Sequence, residues 1–335
     1  MSDFDEYIRQ GEPGRSVKAA AWQTAIGLQD VDGLKPSSYL IDTYYKSRQG
    51  RLSVEEERTE EADKVSARIT ELLQEETFSF TPAEYQRIHR KLFEGIFKFA
   101  GKYRDYNISK AEWVLNNASV LYNPYENLKE TLDYDFAEER QFDYASVSTE
   151  EAIKHIGSFI AGIWQIHPFG EGNTRTTAVF LIKYLRSFGY SISNELFASH
   201  SWYFRNALVR ANYFNREKGI VPTGKYLEAF LRNLILGEHN ELSNRYLHVE
   251  YPAQSEDAGD SKSKNCTLNC TLEELAVLRL LKANSKATQE QLAEQIHRSP
   301  RTVKTLTSRL TEKGYLARRN GKRDGWWEVL AVLPD

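Results

Sequence analysis

The sequence is poor in cysteine and has no long apolar run, and both features narrow the class of protein. Its 335 residues include only two cysteines, Cys266 and Cys270. These two thiols can build neither a disulfide framework nor a complete zinc site, so we expect reduced linker thiols and a cytoplasmic protein. No apolar run approaches the roughly 18 residues of a membrane span. The polar, acidic start of the chain does not resemble a signal peptide.

Charge is distributed unevenly along the chain. Residues 271–335 carry 12 Lys and Arg against 8 Asp and Glu, a net charge of +4. The whole chain carries −3, so the residues before that segment carry −7. An acidic body followed by a basic C-terminal segment predicts one catalytic part and one part that meets nucleic acid.

Turn signals and composition divide the chain into four parts. We predict an N-terminal arm at 1–53, a mainly α-helical catalytic domain at 54–240, a linker at 241–270 and a small domain at 271–335. Hydrophobic residues make up 41% of the chain, enough to bury a sizeable core. Within the linker, residues 254–264 contain Ser, Asp, Gly and Lys with almost no apolar residue, a composition typical of mobile segments.

The most informative stretch is His167–Thr176, with the sequence HPFGEGNTRT. Isoleucines at helical spacing precede it and an almost wholly apolar run follows, so it reads as a short loop between two buried helices. Free N–H groups and the helix dipole at the start of the second helix favour an anion. Successive N–H groups at Gly172, Asn173 and Thr174 predict a nest for phosphate.

Side chains of the same stretch supply further chemistry. Arg175 is placed to add a charge-assisted contact to the anion. Glu171 is a hard oxygen ligand suited to Mg²⁺. His167 is suited to take a proton from an attacking hydroxyl, and we expect Phe169 to be a buried anchor that fixes the loop.

In this order the residues resemble the signature of the Fic family, His-x-Phe-x-(Asp/Glu)-Gly-Asn-Gly-Arg-x-x-Arg. The sequence departs from it at Thr174, which replaces the second glycine, and at Ala178, which replaces the second arginine. The resemblance implies a helical domain with a small β-hairpin flap, and transfer of AMP from Mg-ATP to a hydroxyl of a target protein, the protein itself included. The sequence matches the signature at His167, Phe169, Glu171, Gly172, Asn173 and Arg175.

The resemblance also implies roles for these residues. His167 would be the general base, and Glu171 would hold the Mg²⁺ that bridges the phosphates. Gly172, Asn173 and Thr174 would cradle the phosphates. Arg175 would neutralise charge on the leaving pyrophosphate.

Two regions outside the motif complete the expected site. Tyr203 and Asn206 are three residues apart on one helical face, where the family places residues near the nucleotide base. Val114, Leu115 and Asn116 lie in the second strand of the expected flap, which docks a target segment by strand addition. A hairpin that only covers the core is the alternative.

The arm contains the nearest match to an inhibitory helix. Fic proteins are often inhibited by a helix bearing Ser/Thr-x-x-x-Glu-Gly/Asn, whose glutamate pairs with the second motif arginine. Here Gln49 stands at the glutamate position, before Gly50, and Ala178 stands where the arginine would be. We hypothesise that the helix is kept without its charge-pair lock, because losing both partners leaves no unpaired charge. Alternatively, the helix simply packs on the core.

The last 65 residues resemble a winged helix-turn-helix. Thr288 and Ser299 are helix caps, and Asn320–Gly321 is a hairpin signal. Such a fold places its third helix in the DNA major groove and its wing on the backbone. A protein-binding or dimerising winged helix is the alternative, and it leaves a homodimer open. The residues expected to contact DNA are Arg301, Lys304, Arg318 and Arg319.

Two other functions fit the same motif. The Doc branch of the family carries a residue other than glycine at the position of Thr174 and acts as a protein kinase. Thr174 and Ala178 together therefore leave open transfer of a different phosphate group. The second is a nucleotide-sensing, DNA-binding regulator without catalysis, although mere binding would not require the base His167.

Overall fold

A computed structural model describes residues 24–34, 54–190, 192, 195–251, 269–320 and 325–333. Within these ranges the protein is mainly helical, with one small antiparallel sheet near the C-terminus. The predicted mainly α fold is therefore confirmed. No helix in the described residues is both long and apolar enough to cross a bilayer.

The larger, N-terminal part of the described chain is built from helices joined by loops and short 3₁₀ turns. The helices are α1 (Val54–Gln74), α2 (Pro82–Phe93), α3 (Leu128–Gln141), α4 (Thr149–Ile166), α5 (Asn173–Ser187), α6 (Glu195–Asn212) and α7 (Lys225–Leu236). The 3₁₀ turns are Leu28–Asp32, Trp113–Leu115, Tyr125–Asn127 and Asn244–Leu247.

Helices α4 and α5 form the centre of this domain. Ser148 caps α4 and forms a reciprocal capping box with Glu151, which fixes where the helix begins. Every residue of α5 from Asn173 to Leu185 is buried, as the apolar run of the sequence predicted. Because α5 contacts α1, α2 and α4, its N-terminus is held in place by core packing on several sides.

The described part of the arm, residues 24–34, packs into the body of the domain. Ala25 and Leu28 are fully buried. Gly27 lies so close to α6 that a Cβ atom there would be 2.3 Å from Ala198 Cα. The expected inhibitory segment, with Gln49 and Gly50, lies outside the described residues.

The predicted flap hairpin is not formed as two strands. Its chain does double back, since the Glu112 N–H donates to the Ala118 carbonyl at 3.0 Å. The turn is the 3₁₀ segment Trp113–Leu115, however, which buries Val114 and Leu115 fully, and Asn116 follows in the left-handed region. The apolar residues that suggested an edge strand are anchors of this turn, so their side chains cannot meet a target.

The C-terminal domain has the predicted order of three helices and a strand pair. Thr288 and Ser299 cap the second and third helices as expected. The strands pair antiparallel from Leu316 with Val329 to Arg319 with Trp326, and Gly321 lies outside the described residues. The elements are α8 (Leu272–Ala283), α9 (Gln289–Gln295), α10 (Pro300–Glu312), β1 (Leu316–Arg319) and β2 (Trp326–Val329).

The two domains share a packed junction. The Tyr190 hydroxyl donates to the Leu272 carbonyl at 2.7 Å, and the Thr149 hydroxyl donates to the Cys270 carbonyl at 2.6 Å. A Cβ atom on Gly189, just after α5, would lie 2.8 Å from Ile296 Cα in the turn between α9 and α10. The C-terminal end of α5 therefore abuts the helix-turn-helix directly.

The predicted linker is partly incorporated into the fold. Residues 241–251 pack on the body, with Leu247 fully buried and the Val249 N–H bonded to the Val114 carbonyl at 2.8 Å. Cys270 is also buried, at the domain junction, and not an exposed linker thiol. Cys266 lies outside the described residues.

Candidate active site

The loop between α4 and α5 begins where His167 stops α4. His167 has φ 49° and ψ 58°, a left-handed conformation that residues other than glycine seldom adopt. Pro168 follows and has no N–H to continue the helix. The loop therefore starts at the residue expected to act as base.

Asn173 and Arg104 clamp the loop from two sides. The Asn173 side chain accepts from the Phe169 N–H at 3.0 Å and donates to the Phe169 carbonyl at 2.8 Å. The Arg104 backbone N–H donates to the Pro168 carbonyl and its Nε to the His167 carbonyl, both at 2.8 Å. The Asn173 side chain is thus used to shape the loop. The backbone N–H of Asn173 is the group that is left to bind a ligand.

His89 is a further loop-positioning residue that the sequence analysis missed. Its ring stacks on the buried Phe169 with centroids 3.7 Å apart. Nδ1 accepts from the Gly101 N–H, so Nε2 carries the hydrogen and donates to the Glu171 carbonyl at 3.0 Å. Burial lowers the pKa of His89 to about 4, which keeps it neutral. The only sequence signal was its place on the buried face of α2.

The hydrogen bonds of His167 define its tautomer. Nδ1 lies 3.1 Å from the Trp164 carbonyl, which can only accept, so Nδ1 carries the hydrogen. Nε2 then holds a lone pair, and it is buried with no hydrogen-bond partner among the described residues. Burial first, and then the charge of Lys110, hold the pKa of His167 well below its ordinary value. The ring is therefore neutral at pH 7, with Nε2 as its basic atom.

Glu171 is exposed enough to bind an ion but already has a cationic neighbour. Its Oε1 accepts from the Gly172 N–H at 3.0 Å, and Lys110 Nζ lies 3.2 Å from Oε2. Burial would raise the pKa of Glu171, but Lys110 and the Gly172 amide outweigh it and hold the pKa below its usual value. The carboxylate is thus charged at pH 7.

Glu171 alone is a weak site for a magnesium ion, which phosphate oxygens of a substrate would complete. No three His, Cys, Asp or Glu side chains of the described chain converge into a metal cluster. One carboxylate completed by phosphate oxygens and water is nevertheless a usual donor set for Mg²⁺. Glu171 suits such a site, because it lies beside the start of α5.

Arg175 is fully buried and faces the same pocket from α5. Its guanidinium donates to Glu61 Oε1 at 2.9 Å and to Gln29 Oε1 at 3.1 Å. Both partners come from outside the motif, Glu61 from α1 and Gln29 from the arm. The described arm is therefore part of the site, although the contact was not expected from the sequence.

The start of α5 offers an anion cradle. Gly172 caps the helix with φ 78°, and the first-turn N–H groups that follow have no partner within the helix. Thr174 is turned away, because its hydroxyl accepts from Trp164 Nε1 at 3.0 Å in the core. Its side chain therefore points away from the cradle. Ala178 is buried one turn further along.

A pocket of roughly 900 Å³ opens beside this cradle. It is lined by four cations and two carboxylates, a balance that suits a polyanion such as a nucleotide phosphate chain. The 3₁₀ turn of the arm supplies another wall through Val31 and Leu34. The charged lining residues are Arg58, Lys110, Arg175, Arg205, Glu61 and Glu171.

Helix α6 presents a different face to the pocket from the one predicted. Tyr203 is buried and stacks toward Phe230, and Asn206 is fully buried with its amide donating to Asn244. Trp202 and Arg205 line the pocket instead. Each lies one residue before the predicted position, so the aromatic and polar pair exists but on the neighbouring face of the helix.

Arg205 connects the pocket to His167 through a buried chain of contacts that the sequence did not reveal. Its guanidinium donates to both carboxylate oxygens of Glu112, at 2.5 and 3.1 Å. The Tyr122 hydroxyl donates to the same carboxylate at 3.3 Å, and the Tyr122 ring lies 4.4 Å from the His167 ring. The turn that replaces the flap hairpin thus supports the base.

The residues predicted to bind DNA lie on one domain but differ in availability. Arg301 and Lys304 are exposed on α10. In the wing, Arg318 lies over the Trp327 ring at 4.9 Å, and Arg319 Nε donates to Glu328 at 2.5 Å. Helix α10 therefore carries the more available cations.

Two family models match the chain. Residues 79–185 match the Fic/DOC family, and residues 274–317 match a winged helix-turn-helix DNA-binding family. These matches confirm the resemblances that the sequence motifs indicated, and the first covers the whole loop from His167 to Arg175.

Named relatives match over a limited length. A probable protein adenylyltransferase of Sinorhizobium fredii is 34% identical over 116 residues, which cover 34% of this chain and 56% of the relative. A protein adenylyltransferase of Bartonella schoenbuchensis is 29% identical over 107 residues, covering 32% of this chain and 21% of that protein. The chain thus spans about half of the first relative and a fifth of the second.

Solved structures show a distant likeness. The N-terminal FIC domain of a translocated effector protein from a Bartonella species is 17% identical, with a TM-score of 0.44 over 57% of this chain and 94% of that one. A Fic family protein from Desulfovibrio desulfuricans is 11% identical, with a TM-score of 0.45 over 98% and 90%.

Substitution of Gly172 tests how closely the start of α5 is packed. A Cβ atom there would lie 2.3 Å from the Phe93 ring, in addition to the strain of a positive φ. We expect Gly172→Ala to lower the free energy of unfolding by more than about 2 kcal/mol. Gly95→Ala is the matched control, because Gly95 has φ 73° but open space around it; its strain alone costs about 1 kcal/mol. Equal losses in urea unfolding would contradict the close packing.

Proposed function

Since residues 79–185 form a Fic/DOC family domain followed by a winged helix-turn-helix, we propose that the protein is an adenylyltransferase. It transfers AMP from Mg-ATP to a hydroxyl side chain of a target protein, which includes the protein itself. The names of the two curated relatives support this reaction.

The observation that carries the proposal is the state of His167. A buried, neutral imidazole with a lone pair on Nε2, for which the described residues provide no partner, is suited to accept a proton. Buried polar atoms are usually hydrogen-bonded, so an unpartnered basic nitrogen in the motif loop is a group available to a substrate hydroxyl. The unpartnered Nε2 lies in the loop that also presents Glu171 and the start of α5.

In the proposed step, the target hydroxyl oxygen attacks the α-phosphorus of ATP. Its proton moves to His167 Nε2, and the bond from the α-phosphorus to the bridging oxygen of pyrophosphate breaks. The first-turn N–H groups of α5 and the Arg175 guanidinium stabilise the negative charge that develops on the phosphate oxygens. When bound, Mg²⁺ held by Glu171 neutralises charge on the phosphates.

The kinase alternative loses part of its support. It rested on a residue other than glycine at position 174, and the Thr174 side chain is hydrogen-bonded to Trp164 in the core. Ala178 still lacks the guanidinium of the signature's second arginine. The identity of the transferred group therefore has to be determined by experiment. A nucleotide sensor without catalysis is the third alternative, and such a protein would not require the unpartnered Nε2 of His167 as a base.

A second proposed function is DNA binding by the C-terminal domain. The family match at 274–317 and the exposed Arg301 and Lys304 on α10 support it. In a helix-turn-helix the third helix is the one that enters the major groove. Among the described cations of the wing, Arg319 is already paired with Glu328 and Arg318 lies over the Trp327 ring.

Labelled ATP distinguishes the three activities at the first site. We expect label from the α-position, but not the γ-position, to become attached to protein, with His167→Ala reducing the rate by about 10²- to 10⁴-fold. His239→Ala, at an exposed histidine, is the control and retains the rate. Label from the γ-position alone would indicate a kinase. Tight ATP binding with no label from either position would indicate a sensor.

The pH dependence of transfer tests the state of His167. Only the neutral ring accepts a proton, and its pKa is held well below the ordinary value. The rate should therefore stay constant as the pH falls through about 6.5, the ordinary histidine pKa, and should decline only at lower pH. The measurement is the rate of α-label transfer between about pH 5 and 8. An acidic midpoint at or above 6.5 would contradict a buried, neutral base.

Salt dependence tests the DNA interface. Replacing Arg301 and Lys304 with alanine should weaken binding to a random duplex and reduce the slope of log Kd against log salt by about 2, because two phosphate contacts are lost. Fluorescence anisotropy over a salt series measures both quantities. Lys286→Ala, in the same domain but off α10, is the control. An unchanged slope in the double variant would assign the domain to protein contacts.

A further inference from the structure

Lys110 is paired with Glu171, the carboxylate that would hold a metal ion. Its Nζ lies 3.4 Å from Oε1 and 3.2 Å from Oε2 of Glu171, so the ammonium faces both carboxylate oxygens. Lys110 comes from the turn segment that replaces the flap hairpin, where its N–H donates to Ser119 Oγ at 3.1 Å. Neither the signature motif nor any other sequence feature drew attention to it.

Glu171 cannot keep this partner and bind Mg²⁺ at the same time. The ion coordinates carboxylate oxygen at about 2.1 Å, and an ammonium on those same oxygens would then face a divalent cation at close range. Lys110 therefore has to leave when the metal arrives. Its flexible side chain allows that movement without a change of backbone.

The pocket restricts where the ammonium can go. Glu61, the other charged carboxylate of the lining, is already bonded to Arg175 at 2.9 Å. Glu112 nearby is bonded to Arg205 through both oxygens. The acceptors that a metal-nucleotide brings with it are phosphate oxygens, and an ammonium is a common partner for them.

We propose that Lys110 is a nucleotide-binding residue that exchanges partners. It neutralises Glu171 while the pocket holds no ligand, and it moves to a phosphate of the nucleotide when the divalent cation takes Glu171. This inference rests on the proposed function, since it assumes a metal-nucleotide in this pocket. Lys110 would thus weaken binding of the metal ion alone and strengthen binding of the nucleotide.

Binding measurements on Lys110→Met test both effects. Mn²⁺ alone, followed by electron paramagnetic resonance without nucleotide, should bind about two- to fivefold more tightly, because a partly exposed competing charge is removed. ATP with EDTA, followed by isothermal titration calorimetry, should bind about two- to fivefold more weakly, because without Lys110 the Glu171 carboxylate is left uncompensated beside the phosphates. A purely structural lysine would not move the two affinities in opposite directions.

Three further variants complete the design. Lys102→Met removes an exposed cation from the same segment and should leave both affinities unchanged, while Lys110→Arg should retain the wild-type pattern. Glu171→Gln should abolish Mn²⁺ binding. Mn²⁺ affinity equal to that of the wild-type protein in this variant would overturn the proposal. Equal or weaker Mn²⁺ binding by Lys110→Met, or unchanged metal-free ATP binding, would also overturn it.

These measurements are independent of catalysis. If the opposite shifts are found and no α-label is transferred, the proposed function fails while the exchange stands. If α-label is transferred and the affinities do not shift, the exchange fails while the proposed function stands.

Discussion

The backbone conformation of His167 is the constraint on which the candidate site depends. A non-glycine residue at φ 49° is unfavourable by about 1 kcal/mol or more, and persists only where its surroundings fix it. Here Arg104 bonds the carbonyl of His167, and Asn173 closes the loop on Phe169. The same turn that ends α4 thus sets both the direction of the imidazole and the distance to the start of α5.

Three cations that line the pocket are paired with carboxylates. Glu61 faces Arg175, Glu171 faces Lys110 and Glu112 faces Arg205. In each pair at least one partner comes from outside the motif. A polyanionic ligand therefore meets cations that carboxylates already partly balance, which reduces the cost of unpaired charge when the site is empty.

Local patterns in the sequence were enough to predict much of the molecule. Caps at Thr288 and Ser299, the helices around the motif and the loop from His167 to Arg175 all follow from residues close together in the chain. The DNA-binding and nucleotide-binding assignments stay predictions, because they concern ligands. The expected inhibitory segment at Gln49 lies outside the described residues.

What the sequence could not predict depends on contacts between distant residues. His89 bonds to Glu171 across 82 positions, and Arg175 bonds to Glu61 across 114. Apolar residues such as Val114 look alike in an edge strand and in a buried turn, so the flap was assigned the wrong geometry. On α6 the error was one residue, which rotates the expected face by about 100°.

Helix α5 has the anion cradle at one end and the helix-turn-helix at the other. It is 15 residues long, and the chain that leaves it touches Ile296 through Gly189. A helix keeps a fixed angular phase, so one inserted residue would turn its far end by about 100° and advance it by about 1.5 Å. The length of α5 therefore determines the distance and the rotation between the two domains. An insertion in this helix would therefore change the relative orientation of the two surfaces as well as the core packing.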